Sequence, residues 1–223
     1  MIPLRDVIPS RTTPVVTIAL IVLNVIVFFH EQTLGEYTYR RFVMTYGLVP
    51  ATFDWVSVFT SMFVHGGWEH IIGNMLFLWI FGDNVEDRMG HGRFIVFYVL
   101  CGVTAALVQT AFNPDSAIPM IGASGAVSGV LGAYILMFPH SRVLTLLPIF
   151  FFVQIIEVPA VILLGFWFVM QLLSGLGSLT RPEAGGGVAF WAHAAGFLAG
   201  MVLIGVFKKP ERQAVEWWDN RAS

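Results

Sequence analysis

Ser124 sits in the run Gly122-Ala-Ser-Gly125, at the start of an apolar stretch long enough to enter a membrane. Glycines on both sides let the backbone bend and leave the hydroxyl uncrowded. A serine hydroxyl becomes a useful nucleophile only when a base takes its proton. His193, in Trp191-Ala-His-Ala-Ala-Gly196, is the available base, and a neutral imidazole suits that task. His70 and Asn74 are four residues apart, so on a helix they share a face. With the Ser124 N–H they could hold the oxyanion of a tetrahedral intermediate. The acids assigned to the same side, among them Glu31, Glu69 and Asp115, fall in connecting segments. The expected machinery is therefore a Ser–His dyad with no acidic third member.

His65, Glu69 and His70 are close enough in sequence to suggest a metal site. Their spacing is not that of a helical His-Glu-x-x-His site and no fourth ligand is evident, so neither metal nor cofactor is expected. Gln109, Gln154 and Gln171 are read as helix contacts. Asp83, Glu86, Asp87 and Arg88 are read as capping and interhelical pairing.

The elements that must position these groups are membrane spans. The 223 residues are 57% hydrophobic and 12% charged, about half the charge of an ordinary soluble domain. No basic block exists to neutralise phosphates, which excludes nucleic acid as a partner. A single cysteine, Cys101, excludes an internal disulfide. The first apolar run lacks a small-residue cleavage site and reads as a retained span.

A span needs about 20 mostly apolar residues, and six candidates appear: 14–30, 68–85, 93–111, 119–138, 158–176 and 188–207. The apolar stretch 143–156 is broken by Pro148 and reads as an irregular or interfacial connection. Six spans put both termini on one side. That side then carries nine of the 12 basic residues, and Arg40, Arg41 and Arg181 lie on the other. The positive-inside rule makes the terminal side cytoplasmic. Spans two, four and six then all begin at the external face. Ser124, His193 and His70 come to a common depth, within roughly 10 Å of it. Residues 31–67 form a long external loop rich in aromatics, suited to the headgroup zone. Residues 180–187 form a glycine-rich loop, and the polar tail 211–223 carries Trp217 and Trp218.

Span four carries Gly125, Gly129 and Gly132, and span six carries Gly196 and Gly200. Small residues at four-residue spacing let helices approach closely in lipid. A tight seam there would bring Ser124 to His193.

These residues resemble the rhomboid family of intramembrane serine proteases. Gly122-Ala-Ser-Gly125 looks like its Gly-x-Ser-Gly motif, His70-Ile-Ile-Gly-Asn74 like its His-x-x-x-Asn motif, and Ala192-His-Ala-Ala-Gly196 like its Ala-His-x-x-Gly motif. Glu86-Asp-Arg88-Met-Gly90 followed by Arg93-Phe94 is similar to the end of the family's second helix.

The resemblance implies an all-α, six-helix bundle with cytoplasmic termini, as a single membrane domain over 1–223. Its core is about 54–207, with 1–13 and 208–223 as cytoplasmic tails. It implies a multi-pass protein of the cell membrane, with its active site toward the external face. Ser124 would be the nucleophile and His193 the base. His70, Asn74 and the Ser124 backbone would be oxyanion donors. His65 would stabilise the first loop, and Trp167 and Phe168 would form part of a gate. Substrates would be single-span membrane proteins cut in or near their helix, with lipid as the surrounding partner. An inactive relative that binds membrane clients, and a small transporter, are the competing readings. The first usually lacks Ser or His; the second predicts repeated halves, which are not seen.

Two positions depart from the family pattern. Trp55 is followed by Val56 where some relatives carry Trp-Arg. Ser128 stands where relatives often place an aromatic against the histidine, which leaves the Ser128 hydroxyl as the candidate to hold the imidazole.

Overall fold

The computed structural model describes residues 1–149, 152–180 and 189–209. Six long helices make the body: α1 (Val15–Gln32), α4 (Trp68–Met89), α5 (His91–Phe112), α6 (Ser124–Met137), α7 (Ala160–Thr180) and α8 (Phe190–Phe207). Two shorter ones, α2 (Glu36–Tyr46) and α3 (Trp55–Thr60), lie between α1 and α4. Four of the long helices, α1, α5, α7 and α8, are long and apolar enough to cross a membrane; α6 is a shorter apolar helix. The expected loop Glu31–Gly67 is thus largely helical. Asp54 caps α3, its carboxylate accepting the Ser57 N–H at 3.0 Å.

Three strands correct the all-α expectation. They are β1 (Ile2–Asp6), β2 (Arg142–Ile149) and β3 (Phe152–Pro159), joined as an antiparallel sheet in the order β1-β2-β3. Ile2 pairs with Leu146 and Asp6 with Val143, with a bulge between Pro3 and Arg5. Arg142 to Ile149 pairs with Pro159 to Phe152. The run read as irregular is therefore a hairpin, and part of the expected free tail is a strand. Burial along β2 has period two: Val143 and Thr145 face inward while Arg142 faces out. Pro148 ends a helix, yet β2 tolerates it beyond the stretch that β1 covers, where β2 has one neighbour. Glu157 lies 3.7 Å from Arg142 across the hairpin.

Acidic residues at the end of α4 tie elements together. Glu86 is fully buried at the end of α4. It accepts the Val16 N–H at 2.9 Å, the Thr17 N–H at 2.8 Å and the Thr17 hydroxyl at 2.7 Å, and His91 approaches it at 2.5 Å. A carboxylate on these first-turn N–H groups both caps α1 and favours its dipole. Asp83 accepts from Ser10 and Asp87 from Thr12. Asp6 accepts from Tyr134 at 2.6 Å and Asn84 at 2.9 Å, which anchors β1 to α4 and α6. Its partial burial pushes the carboxyl up to about 6, with nearby Asp83 adding to the rise and the Tyr134 bond opposing it.

The core runs through α4, α5, α6 and α8, with α6 at its centre: Gly125 to Tyr134 are all buried. The glycine seam explains why α6 and α8 sit so close. A β-carbon on Gly196 would overlap the Gly125 carbonyl, one on Gly200 the Gly129 carbonyl, and one on Gly132 the Phe197 carbonyl. Backbone meets backbone there, which is what small residues permit in a bundle with no water to expel.

The glycine-rich loop and the tail with Trp217 and Trp218 lie outside the described residues.

Candidate active site

The apolar stretch from Pro119 predicts a helix beginning well before Ser124; instead α6 begins at Ser124 itself. Gly122 is the reason. Its φ of +113° is open to glycine and strained for other residues. Its N–H donates to the Ser61 carbonyl at 2.8 Å, and Met120 pairs with Leu48 just before it. The chain therefore enters α6 through a pinned turn. The first N–H groups of a helix lack intrahelical partners, so the start of α6 brings the Ser124 hydroxyl and backbone donors to one place.

His193, the fourth residue of α8, meets it across the seam. Its Nε2 lies 2.7 Å from Ser124 Oγ. Its Nδ1 lies 2.7 Å from Gln171 Oε1 on α7. The Trp167 ring, one turn earlier on α7, is tilted 38° to the imidazole at 5.9 Å. The Ser128 hydroxyl does not hold the ring, contrary to expectation: it donates to the Ser124 carbonyl at 2.6 Å. Gln171, read as a helix contact, makes one, to the His193 imidazole on α8. Gln109 also makes a helix contact, accepting the Ala192 N–H at 3.2 Å.

His70 and Asn74 project from the start of α4 toward the Gly122–Ser124 turn. A β-carbon on Gly122 would lie 2.5 Å from His70 Nε2 and 3.5 Å from Asn74 Nδ2. His70 Nδ1 accepts a long, 3.4 Å bond from the Gly66 N–H. That tautomer leaves Nε2 protonated and aimed at the turn. Asn74 Nδ2 is buried and has no protein partner; a buried amide left so calls for an explanation.

His65 lies behind His70, its ring centroid 5.0 Å away. It is fully buried. Its Nδ1 lies 3.2 Å from the Phe63 carbonyl, and its N–H donates to Glu31 at 3.3 Å. Glu31 lies not in a connecting segment but in α1, which runs on to Gln32 and buries it. The Tyr39 hydroxyl donates to the His65 carbonyl at 3.4 Å. His65 thus links α1, α2 and α4. Burial pushes its imidazole down to about 4, helped by nearby His70. Among the described residues, no three His, Cys, Asp or Glu side chains converge to hold a metal.

A cavity of about 670 Å³ opens over this cluster. His70, Asn74, Ser124 and His193 line it together with apolar Phe77, Leu131 and Trp167. Glu69 stands at its rim and Gly66 in its wall. Phe168 faces away from it, stacked on Phe197 at 4.6 Å. Of the expected gate pair, only Trp167 lines the cavity. Gly125 and Gly196 act in the seam, and Gly122 in the turn.

Residues 52–210 match the model of the rhomboid domain. The chain is 30% identical over 206 residues to the rhomboid protease GluP of Bacillus subtilis, covering 91% of this chain and 38% of that one. It is 30% identical over 135 residues to the rhomboid protease GlpG of Salmonella choleraesuis, covering 58% and 46%. It is also 31% identical over 110 residues to the mitochondrial rhomboid protein 1 of Saccharomyces cerevisiae, covering 47% and 32%. The chain spans less than half the length of each of these relatives. With its apolar helices, it is a multi-pass membrane protein that belongs to the rhomboid family.

Proposed function

We propose that the chain is an intramembrane serine protease that cuts single-span membrane proteins in or near their membrane segment. The observation that carries this reading is the 2.7 Å approach of His193 Nε2 to Ser124 Oγ at the floor of an open cavity. Membership of a family with named proteases supports it.

In the proposed reaction, Ser124 Oγ attacks the scissile carbonyl carbon and its proton passes to His193 Nε2. The carbonyl oxygen becomes an oxyanion, held by the Ser124 N–H, His70 Nε2–H and Asn74 Nδ2–H. Collapse breaks the C–N bond, and His193 returns the proton to the leaving amine. Water then attacks the acyl-enzyme, giving its proton to His193, and the Ser124 oxygen leaves and recovers it. His193 serves as base and acid in turn.

The six long helices are proposed as six spans, with both termini cytoplasmic by the distribution of Lys and Arg. The 14 residues of α6 measure about 21 Å, shorter than the roughly 30 Å hydrocarbon layer. We take the shortfall to lie at the outer end, so that Ser124 sits below the outer ends of its neighbours. The cavity above it then opens outward, toward the external face of the cell membrane. Trp167 and Phe168 on α7 are proposed as gate residues.

The test uses purified protein, a fluorophosphonate probe and a tagged single-span substrate. In labelling, Ser124 Oγ forms a bond to phosphorus, fluoride leaves, and His193 takes the proton. Labelling and cleavage that both vanish in Ser124→Ala support the reading. Labelling without cleavage of any single-span substrate points to an inactive relative. Equal labelling of Ser124→Ala removes Ser124 as nucleophile.

A further inference from the structure

Granted the Ser124–His193 dyad proposed above, we propose that Gln171 on α7 is the residue that positions the base, so that the hydrogen-bonded line reads Ser124–His193–Gln171. Two contacts of 2.7 Å carry it, one to each imidazole nitrogen.

The chemistry of the partners fixes the proton. The atom facing Nδ1 is Oε1, an amide carbonyl oxygen, which only accepts. Nδ1 is therefore the protonated nitrogen. Nε2 is left with a lone pair, and that lone pair faces the Ser124 hydroxyl. A free imidazole exchanges between tautomers and turns about its side-chain bonds. This one does neither while Gln171 is in place. An orienting group of this kind does not touch substrate; it acts by holding the base in its productive form. As a neutral group it also spares a buried site the desolvation of a carboxylate.

Gln171 does not stand alone on α7. Trp167 lies one turn before it on the same face, its ring against the same imidazole. One helix thus supplies both the stop at Nδ1 and the wall beside the ring. Of the four span-length helices, α7 is the least covered by protein: 22% of its apolar window is buried, against 39% for α5 and α8. The element that sets the base is the one the bundle covers least. Docking of α7 and readiness of His193 are therefore one event.

The titratable side chains lining the cavity beside His193 are His70 and Glu69, both from α4. Among the lining residues, α6 and α7 contribute none.

The test is the rate of fluorophosphonate labelling of Ser124 across pH, with melting temperature measured in parallel. Gln171→Leu should slow labelling about 10- to 100-fold, the range of one hydrogen bond to a charging group. Its melting temperature should stay near wild type. Gln171→Glu should restore labelling and move the acid limb of the profile upward by about one pH unit or more. If Gln171→Leu unfolds the protein, the Gln171→Glu profile decides alone, since it keeps the shape of the side chain. A wild-type rate in Gln171→Leu, or a wild-type acid limb in a folded Gln171→Glu, overturns the proposal. Ser124→Ala run beside them separates the two ideas. Labelling there at the wild-type rate sinks the dyad itself; its loss there with an unaltered Gln171→Leu sinks only the role of Gln171.

Discussion

Gly200 lies so close to the Gly129 carbonyl that a single added methyl group would occupy the same space. That relationship sets the distance between α6 and α8, and so between Ser124 and His193. Gly200→Ala should force the helices apart and destabilise the fold by about 1–3 kcal/mol, the cost of overpacking. It should also slow Ser124 labelling, although residue 200 lies nearly two turns from His193. Gly205→Ala on the same helix meets nothing within 4 Å and should leave both unchanged. Thermal unfolding and labelling rates on the pair check this.

The unpartnered Asn74 amide makes a second expectation. Asn74→Ala should lower kcat about 10²- to 10³-fold with little change in KM. Removing a donor that has no protein partner should not lower the melting temperature. His70→Ala should behave likewise in rate. A drop in melting temperature with unchanged kcat would assign these side chains to packing.

Glu86 offers a test of the fold away from the site. Replacing it with glutamine puts an amide N–H₂ where one carboxylate oxygen accepts from the backbone of α1. Glu86→Gln should therefore destabilise by about 1–3 kcal/mol through an unsatisfied buried donor. Differential scanning calorimetry measures it.

Stability should depend on pH through two groups of opposite sign. His65 is pushed from 6.5 down to about 4 by burial. Its contribution is present above pH 6.5 and is lost as pH falls through about 4. Asp6 is raised from 3.8 to about 6. Its contribution is present below pH 3.8 and is lost as pH rises through about 6. His65→Gln should flatten the acid side of a melting-temperature profile, and Asp6→Asn should flatten the decline between pH 4 and 6. A wild-type slope in either variant would assign the titration to other groups.

The meeting of Ser124 with His193 was legible because a glycine-flanked serine and a histidine are costly residues to place in apolar helices. The glycine seam was legible because its spacing matches the helical repeat. Gln171 was not, since its partner lies 22 residues away on another helix and a glutamine has many ordinary uses. The start of α6 was misplaced because apolar character continues through Pro119–Ala123 while the Gly122 backbone does not. The sheet was hidden because Pro148 stops a helix yet is tolerated where β2 has one neighbour. Glu31 was misplaced by two residues of helix, enough to move it from an assumed loop into the protein interior.

Residues 2–6 are knitted to the hairpin that leads directly into α7. A deletion that removed them would unzip one lane of the sheet and strand Tyr134 and Asn84 without their shared carboxylate. The helix carrying Gln171 would then hang from a two-stranded ribbon. Trimming residues 2–6 is thus a way to loosen the proposed base.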